Sequence, residues 1–134
     1  MSVWIVKKPA PGEQVRVNRG KYFHYGICVA PDRLVHFATA NGDGPDDPSS
    51  ASVQETNLSG FAAGGFVECL RLSFGERRFA FSSGETVRRA LGAVGEKGYN
   101  VMTNNCLHFA NRCLYGQSCG PAKKRRGFFA SLKK

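Results

Sequence analysis

Short runs of apolar and alternating side chains fill the first third of the chain and indicate β-structure. The runs are Val3 to Val6, Gln14 to Val17, Tyr22 to Ala30 and Arg33 to Ala38. Gln14 to Val17 alternates between polar and apolar residues, and Pro31-Asp32 separates the two longest runs. Short runs bounded by Pro, Gly, Asn and Asp are typical of antiparallel strands joined by tight turns. The pattern therefore predicts four strands, with the last two forming a hairpin.

The pattern changes to a helical period in the last third of the chain. Apolar residues recur at the spacing i, i+3, i+4, i+7 in Val87, Ala90, Leu91 and Val94. This spacing predicts an amphipathic helix over Gly84 to Glu96, with Ser83 as its N-cap. A second helix is predicted from Cys106 to Tyr115, with Gly116 as its C-cap.

Two segments between these regions lack a clear period. Thr39 to Gly60 is rich in Gly, Pro, Asp and Ser and contains four acidic residues, so we expect a long mobile loop. Phe66 to Leu72 and Arg77 to Phe81 are interpreted as a second hairpin around Gly75. The length of 134 residues suits one folded domain over 1–120, followed by a tail over 121–134.

The predicted hairpin contains two histidines, and its loop length decides whether they lie on the same face. Strand alternation places His24, Gly26, Cys28 and Ala30 on one face, which is otherwise lined by small residues that a helix can approach closely. If the loop has three residues, Val29 pairs with Arg33 and Gly26 lies opposite His36. His36 is then diagonal to His24, roughly 7–8 Å away between β-carbons. A two-residue loop would instead place the histidines on opposite faces.

Cys106 stands at the predicted start of a helix, after two asparagines that are candidate N-caps. A helix N-terminus carries a partial positive charge and therefore favours a thiolate. A cysteine with a histidine base is the minimum set for covalent acyl transfer. Taken alone, a cysteine at this position is more often a small buried hydrophobe, and a strand histidine more often a core polar group. The other four cysteines are interpreted as inert and His108 as structural.

The cysteine spacing and the lack of long apolar runs exclude several classes of protein. Five cysteines at irregular spacing form neither a disulfide framework nor a zinc site, and no metal or cofactor is expected. A reducing, cytosolic setting fits this usage better. No run of 18 apolar residues is present, and residues 1–8 are too short and mixed for a secretory signal.

The positive charge is concentrated in the tail. Six of the 19 basic residues lie among the last twelve positions, which contain no acid and so supply +6 of the formal +9. The cations bracket Phe128, Phe129 and Leu132. Such a segment can bind an anionic membrane or RNA, or it can be a solvated tail that serves solubility. The candidate contact residues are Lys123, Lys124, Arg125, Arg126, Phe128, Phe129, Lys133 and Lys134.

The stretch from His24 to Val29, with His36 twelve residues after the first histidine, resembles the H-box of lecithin–retinol acyltransferase-like proteins. Asn105-Cys106-Leu107-His108-Phe109 is similar to their Asn-Cys-Glu-His-Phe motif, with Leu107 in place of the glutamate. The resemblance implies an α+β fold of the permuted papain-like kind, related to NlpC-type peptidases, in which an antiparallel sheet carries the cysteine helix. It also implies that Cys106 is the nucleophile, His24 the base, His36 the group orienting His24, and Tyr22 an oxyanion contact.

The short basic tail and Leu107 are more similar to the H-box/NC 2A proteins of picornaviruses, of the kobuvirus and parechovirus kind. That branch implies a non-structural protein of viral RNA replication in the host cytoplasm, at replication membranes, with RNA, an anionic membrane or replication proteins as partners. The alternative function is a thiol phospholipase or acyltransferase with a Cys-His-His site. Whether the chain is an enzyme stays open at this point.

Overall fold

A computed structural model describes residues 3–39, 48–100, 104–118 and 120. The strands are β1 (Val3–Val6), β2 (Gln14–Asn18), β3 (Phe23–Ala30), β4 (Arg33–Ala38), β5 (Ser52–Thr56) and β6 (Val67–Arg71). The helices are α1 (Leu58–Ala62), α2 (Phe74–Arg77), α3 (Ser83–Gly92) and α4 (Cys106–Tyr115), and a short 3₁₀ turn covers Pro48–Ser50.

The six strands form one antiparallel sheet in the order β1-β6-β2-β3-β4-β5. β3 and β4 are central and carry the most buried side chains, because apolar residues of both faces are covered. Helix α4 packs mainly on β3 and β4, and α3 packs beside it. The predicted α+β architecture, an antiparallel sheet with the Cys106 helix packed on it, is confirmed.

Two cores lie on opposite faces of the sheet. One core joins Ile27, Val35 and Phe37 to the buried sides of α3 and α4. The other core joins Val15, Val17 and Cys28 to Phe61 of α1. Because successive strand residues point to opposite faces, neighbouring residues of β3 belong to different cores.

The β3–β4 hairpin closes in a way that the sequence did not suggest. Ala30 pairs with Arg33, so the turn contains only Pro31 and Asp32, and Asp32 has a positive φ of 57°. A β-bulge between Cys28 and Ala30 inserts Val29 as one extra residue. The extra residue restores the parity that a two-residue turn would have changed, and Gly26 lies opposite His36. The turn thus has the two-residue length, but the histidines have the register that the three-residue alternative would give.

Three other expectations require correction. The loop interpretation of 39–60 is wrong over 52–60, which holds β5 and most of α1; Asn57 caps α1 through a hydrogen bond from the backbone N–H of Gly60. The hairpin expected around Gly75 is absent, because Ser73 and Glu76 form a capping box that starts α2 after β6. Helix α3 begins at Ser83 with Ser82 as N-cap and ends at Gly92, four residues before the predicted end.

Candidate active site

The two H-box histidines form a buried pair. The Nε2 atom of His24 lies 2.8 Å from the Nδ1 atom of His36, and the exposed fractions of the two side chains are 0% and 8%. Their rings meet edge to face, with centroids 5.0 Å apart. The pair exists because Gly26, rather than His24, lies directly opposite His36, which makes the histidines diagonal neighbours on one face.

A hydrogen bond between two imidazoles requires one donor and one acceptor, so it fixes tautomers as well as orientation. In the arrangement where Nε2 of His24 donates, Nδ1 of His36 accepts, and the lone pair of His24 is on Nδ1. His24 can then take a proton only at Nδ1. The imidazolium that forms still donates from Nε2 to His36, which stabilises the charge as the third member of a catalytic triad does.

Helix α1 covers this pair. The Phe61 ring lies 5.1 Å from the ring of His24 and 5.8 Å from that of His36, centroid to centroid, and its side chain is fully buried. A β-carbon on Gly26 would approach Phe61 Cε1 and the Val35 carbonyl oxygen to 2.9 Å each. The glycine is therefore required for α1 to lie this close. The prediction that a helix approaches the small face of β3 is correct, but the helix is α1 rather than the Cys106 helix.

Cys106 is the first residue of α4, and its exposed fraction is 7%. The Asn105 Oδ1 atom accepts hydrogen bonds from the backbone N–H groups of Leu107 and His108, at 3.0 and 3.1 Å. His108 completes a capping box, since its Nδ1 atom accepts from the Asn105 N–H at 3.1 Å. The structural role predicted for His108 is confirmed. Its place in a capping box could not be recognised from the sequence, because this position usually holds Glu or Gln.

Helix α4 lies on the face of the sheet opposite the imidazoles. Its buried residues, including Cys106, cluster with Ile27 and Val35. Asn111 accepts a hydrogen bond from Gln14, which pairs with Ile27, and the Phe109 ring lies 6.5 Å from that of Phe37, two residues further along β4 than Val35. From Asn111 to Phe109, the contacts of α4 therefore shift from the level of Ile27 toward the start of β3. Cys106 lies one helical turn beyond Phe109 in this direction.

The remaining described cysteines differ from Cys106 in position and are all free thiols. Burial raises the pKa of Cys69 and of Cys113 to about 12 each, and burial also raises the pKa of Cys28. Thiols with such pKa values are almost fully protonated near neutral pH and are poor nucleophiles. This agrees with the inert role predicted for them; Cys119 lies outside the described residues.

Of the other predicted site residues, the structure describes Tyr22 but not those of the tail. Tyr22 immediately precedes β3 and is 38% exposed, and its backbone carbonyl accepts a hydrogen bond from the Arg19 N–H. The basic residues and phenylalanines of the tail lie outside the described residues. Across the described ranges, no cluster of His, Cys, Asp and Glu suited to a metal ion occurs, and no helix is long and apolar enough to cross a membrane.

A cleft of about 730 Å³ lies away from the histidine pair, between β1, β6 and the start of α3. Its lining includes Gly12, which bonds to the far end of β3 through the Cys28 carbonyl. Neither the histidines nor Cys106 line it. The cleft therefore belongs to a different part of the molecule from the candidate active site.

Comparison with known proteins shows the family of the chain. The family model described as "Lecithin retinol acyltransferase" matches residues 7–119. The chain is 29% identical over 119 residues to human phospholipase A and acyltransferase 2, covering 83% of this chain and 74% of that protein. It is 24% identical over 141 residues to mouse lecithin retinol acyltransferase, covering 91% of this chain and 60% of that protein. The match includes both H-box histidines and Cys106, and the α+β fold is consistent with the NlpC-like, papain-like fold expected of such proteins. The chain belongs to the lecithin retinol acyltransferase family.

Proposed function

We propose that this protein is a thiol acyltransferase or phospholipase that removes an acyl group from a lipid ester. The observation that carries the proposal is the buried His24–His36 pair, found in a chain whose relatives are named for phospholipase and acyltransferase activities. This function replaces viral replication as the leading interpretation, because the relatives found are acyltransferases and phospholipases.

In the proposed reaction, Nδ1 of His24 takes the thiol proton as the Cys106 sulfur attacks the ester carbonyl. The tetrahedral intermediate collapses, the carbon–oxygen bond of the ester breaks, and the imidazolium of His24 protonates the departing alkoxide. A thioester remains on Cys106. Attack by water releases a fatty acid, whereas attack by another hydroxyl or amine completes acyl transfer, with His24 again acting as base.

Two features of α4 support Cys106 as the nucleophile. The Asn105 cap leaves the thiol at the positive end of the helix dipole, which favours the thiolate. The direction of α4 brings its first residue toward the end of β3 that carries His24. In this proposal the sulfur and the imidazole meet around the end of the sheet, and not through the face that Phe61 covers. Tyr22, partly exposed beside this end, is proposed to donate to the oxyanion.

Trapping the thioester tests the proposal. The protein is incubated with an activated fatty-acyl ester or with phosphatidylcholine and then weighed intact. We expect one acyl mass on the wild type and on Cys113→Ala, a matched control from the same helix, and none on Cys106→Ala or His24→Ala. Equal labelling of the Cys106→Ala variant, or no adduct on the wild type, contradicts the proposal.

A second candidate function rests on the tail, with its six cations and no acid. In this case the chain acts like the picornaviral 2A proteins of the H-box/NC kind, in RNA replication in the host cytoplasm, and the tail binds RNA or an anionic membrane. Binding should weaken steeply with salt, because each phosphate contact releases counterions. A full-length variant with Gln at Lys123, Lys124, Arg125 and Arg126 should lose most of this affinity. If this variant binds RNA and vesicles as the wild type does, the tail is not the binding segment.

A further inference from the structure

We propose that a basic and aromatic surface around α2 docks the protein on an anionic membrane. This α2 surface consists of Arg71, Phe74, Arg77 and Arg78. It adds a membrane contact to the lipid-directed function proposed above, but the contact does not depend on the chemistry of Cys106.

Phe74 is the central feature of the α2 surface. Its side chain is 90% exposed, which is unusual for a phenylalanine on a short capped turn. The Ser73 Oγ atom accepts from the Glu76 N–H at 3.1 Å, and the Glu76 carboxylate accepts from the Ser73 N–H at 2.8 Å. The capping box therefore holds the turn that presents the phenyl ring to solvent.

The cations surround this ring. Arg77 and Arg78 follow Phe74 by three and four residues, so they lie on the same side of the helical turn. Arg71, Arg77 and Arg78 are exposed, and no carboxylate among the described residues forms a salt bridge with any of them. The nearby Glu76 carboxylate is occupied by the capping box. The surface thus presents three arginines around a projecting aromatic side chain, and with the one negative charge of Glu76 its net charge is positive.

The α2 surface is attached firmly to the rest of the domain. The Phe81 N–H donates to the Leu114 carbonyl of α4 at 2.8 Å, and the Arg89 guanidinium lies 4.0 Å from the centre of the Phe81 ring. These two contacts hold the segment at its Phe81 end, and its other end continues directly from β6, which pairs with β1 and β2. A preordered surface loses little conformational entropy on docking.

The 730 Å³ cleft beside the α2 surface favours a lipid over a nucleic acid or a peptide. Arg71 and Arg77 line the cleft, and Leu72, Phe81 and Leu114 provide apolar walls. Lys7 also lines the cleft but forms a salt bridge with Glu13. Cations next to apolar walls match an amphiphile with an anionic headgroup. An exposed phenylalanine flanked by arginines matches the boundary between headgroups and acyl chains.

The test is sedimentation of the full-length protein with phosphatidylcholine vesicles, with and without about 30 mol% phosphatidylserine. We expect binding to depend on phosphatidylserine. A variant with Gln at Arg71, Arg77 and Arg78 should bind about a hundredfold more weakly, since each cation near the surface contributes about fivefold. Phe74→Ser should cost about tenfold through lost apolar insertion.

Phe66→Ser is the matched control, because Phe66 is also 80% exposed but lies before β6 rather than on the α2 surface. It should bind vesicles as the wild type does. Cys106→Ala should also bind normally while losing the acyl adduct, which separates failure of this proposal from failure of the catalytic one. Thermal unfolding confirms that each variant is folded.

Three results would overturn the proposal. One is vesicle binding by the triple arginine variant equal to that of the wild type. Another is weaker binding of single-stranded RNA by that variant with unchanged vesicle binding, which would assign the surface to RNA. A loss of vesicle affinity in Phe66→Ser that equals the loss in Phe74→Ser would also contradict it, because the membrane contact would then lie elsewhere.

Discussion

The two faces of the β3–β4 hairpin are covered in different ways. On one face, Ile27, Val35 and Phe37 pack against two ten-residue helices, and the core is apolar. On the other face, His24 and His36 are buried beneath the five-residue helix α1, chiefly by Phe61. The hairpin residues on the first face are thus apolar, whereas the second face combines a hydrophobic core with a buried polar pair. A buried polar pair must be hydrogen-bonded, because it has lost its contacts with water.

The largest effect should come from Phe61→Ala. The ring is fully buried, so the free energy of unfolding should fall by about 3–5 kcal/mol. Phe109→Ala, on the other face, should cost a similar amount because that ring is also buried. The measurement is urea unfolding together with NMR spectra of the imidazoles, and only Phe61→Ala should shift the signals of the histidine pair. Equal shifts in both variants would show that the faces are not separate environments.

Gly26→Ala should have a smaller effect, with stability falling by about 1–3 kcal/mol from overpacking. The new methyl group would sit 2.9 Å from both the Phe61 ring and the Val35 carbonyl. Gly75→Ala is the control, because nothing lies within 4 Å of a β-carbon at that position. A Gly26→Ala variant as stable as the wild type would mean that α1 can move away from the histidines at no cost.

Asn105→Ala should reduce stability by about 1 kcal/mol through loss of the α4 cap. Ser82→Ala removes the corresponding cap of α3, whose Oγ accepts from the Glu85 N–H, and should cost about as much. Only Asn105→Ala should also slow alkylation at Cys106, because only that cap fixes the helix end carrying the thiol. Chemical unfolding and thiol labelling, performed on both variants, test this distinction. Equally slower labelling in Ser82→Ala would show that the effect does not depend on the cap beside the thiol.

The smallest effect should appear on raising the pH from about 8 to about 9.5, where unfolded thiols begin to ionise. Each face carries one thiol whose pKa burial raises to about 12, Cys69 on one face and Cys113 on the other. Above the pKa of the unfolded thiol, the unfolded chain binds fewer protons than the folded chain, so stability must fall as pH rises. Cys69→Ala and Cys113→Ala should each make the melting temperature less dependent on pH. A melting temperature that rises over this interval contradicts the assignment.

The sequence predicted those parts of the fold that depend on local periodicity. The four strands before Thr39 and the start, end and cap of α4 follow directly from alternation, turn residues and the Asn-Cys and Tyr-Gly boundaries. At the histidines the sequence left two registers open, because a bulge such as the one at Val29 cannot be recognised from the residues of the turn alone.

The parts of the fold that the sequence did not predict depend on tertiary contacts. β5 was missed because Ser52–Thr56 holds only one strongly apolar residue, Val53, and forms by pairing with β4. Helix α1 is too short to show a helical period, so Phe61 could not be recognised as the cover of the histidine pair. Gly75 gives the segment after β6 the composition of a hairpin turn, whereas the Ser73–Glu76 capping box starts α2 there. The face on which α4 packs is a long-range property that the small residues of β3 suggested wrongly.

The bulge at Val29 has a consequence for how the hairpin can change in length. His36 follows His24 by twelve positions, and Gly26 lies opposite His36 because the bulge takes Val29 out of the ladder. Without Val29, the Ala30–Arg33 and Cys28–Leu34 pairs would follow each other in a regular ladder, and both histidines would stay on one face. The hairpin can therefore lose this residue and keep the pair. A shift of the ladder by one residue between Gly26 and His36 would instead turn His36 toward the face of α4.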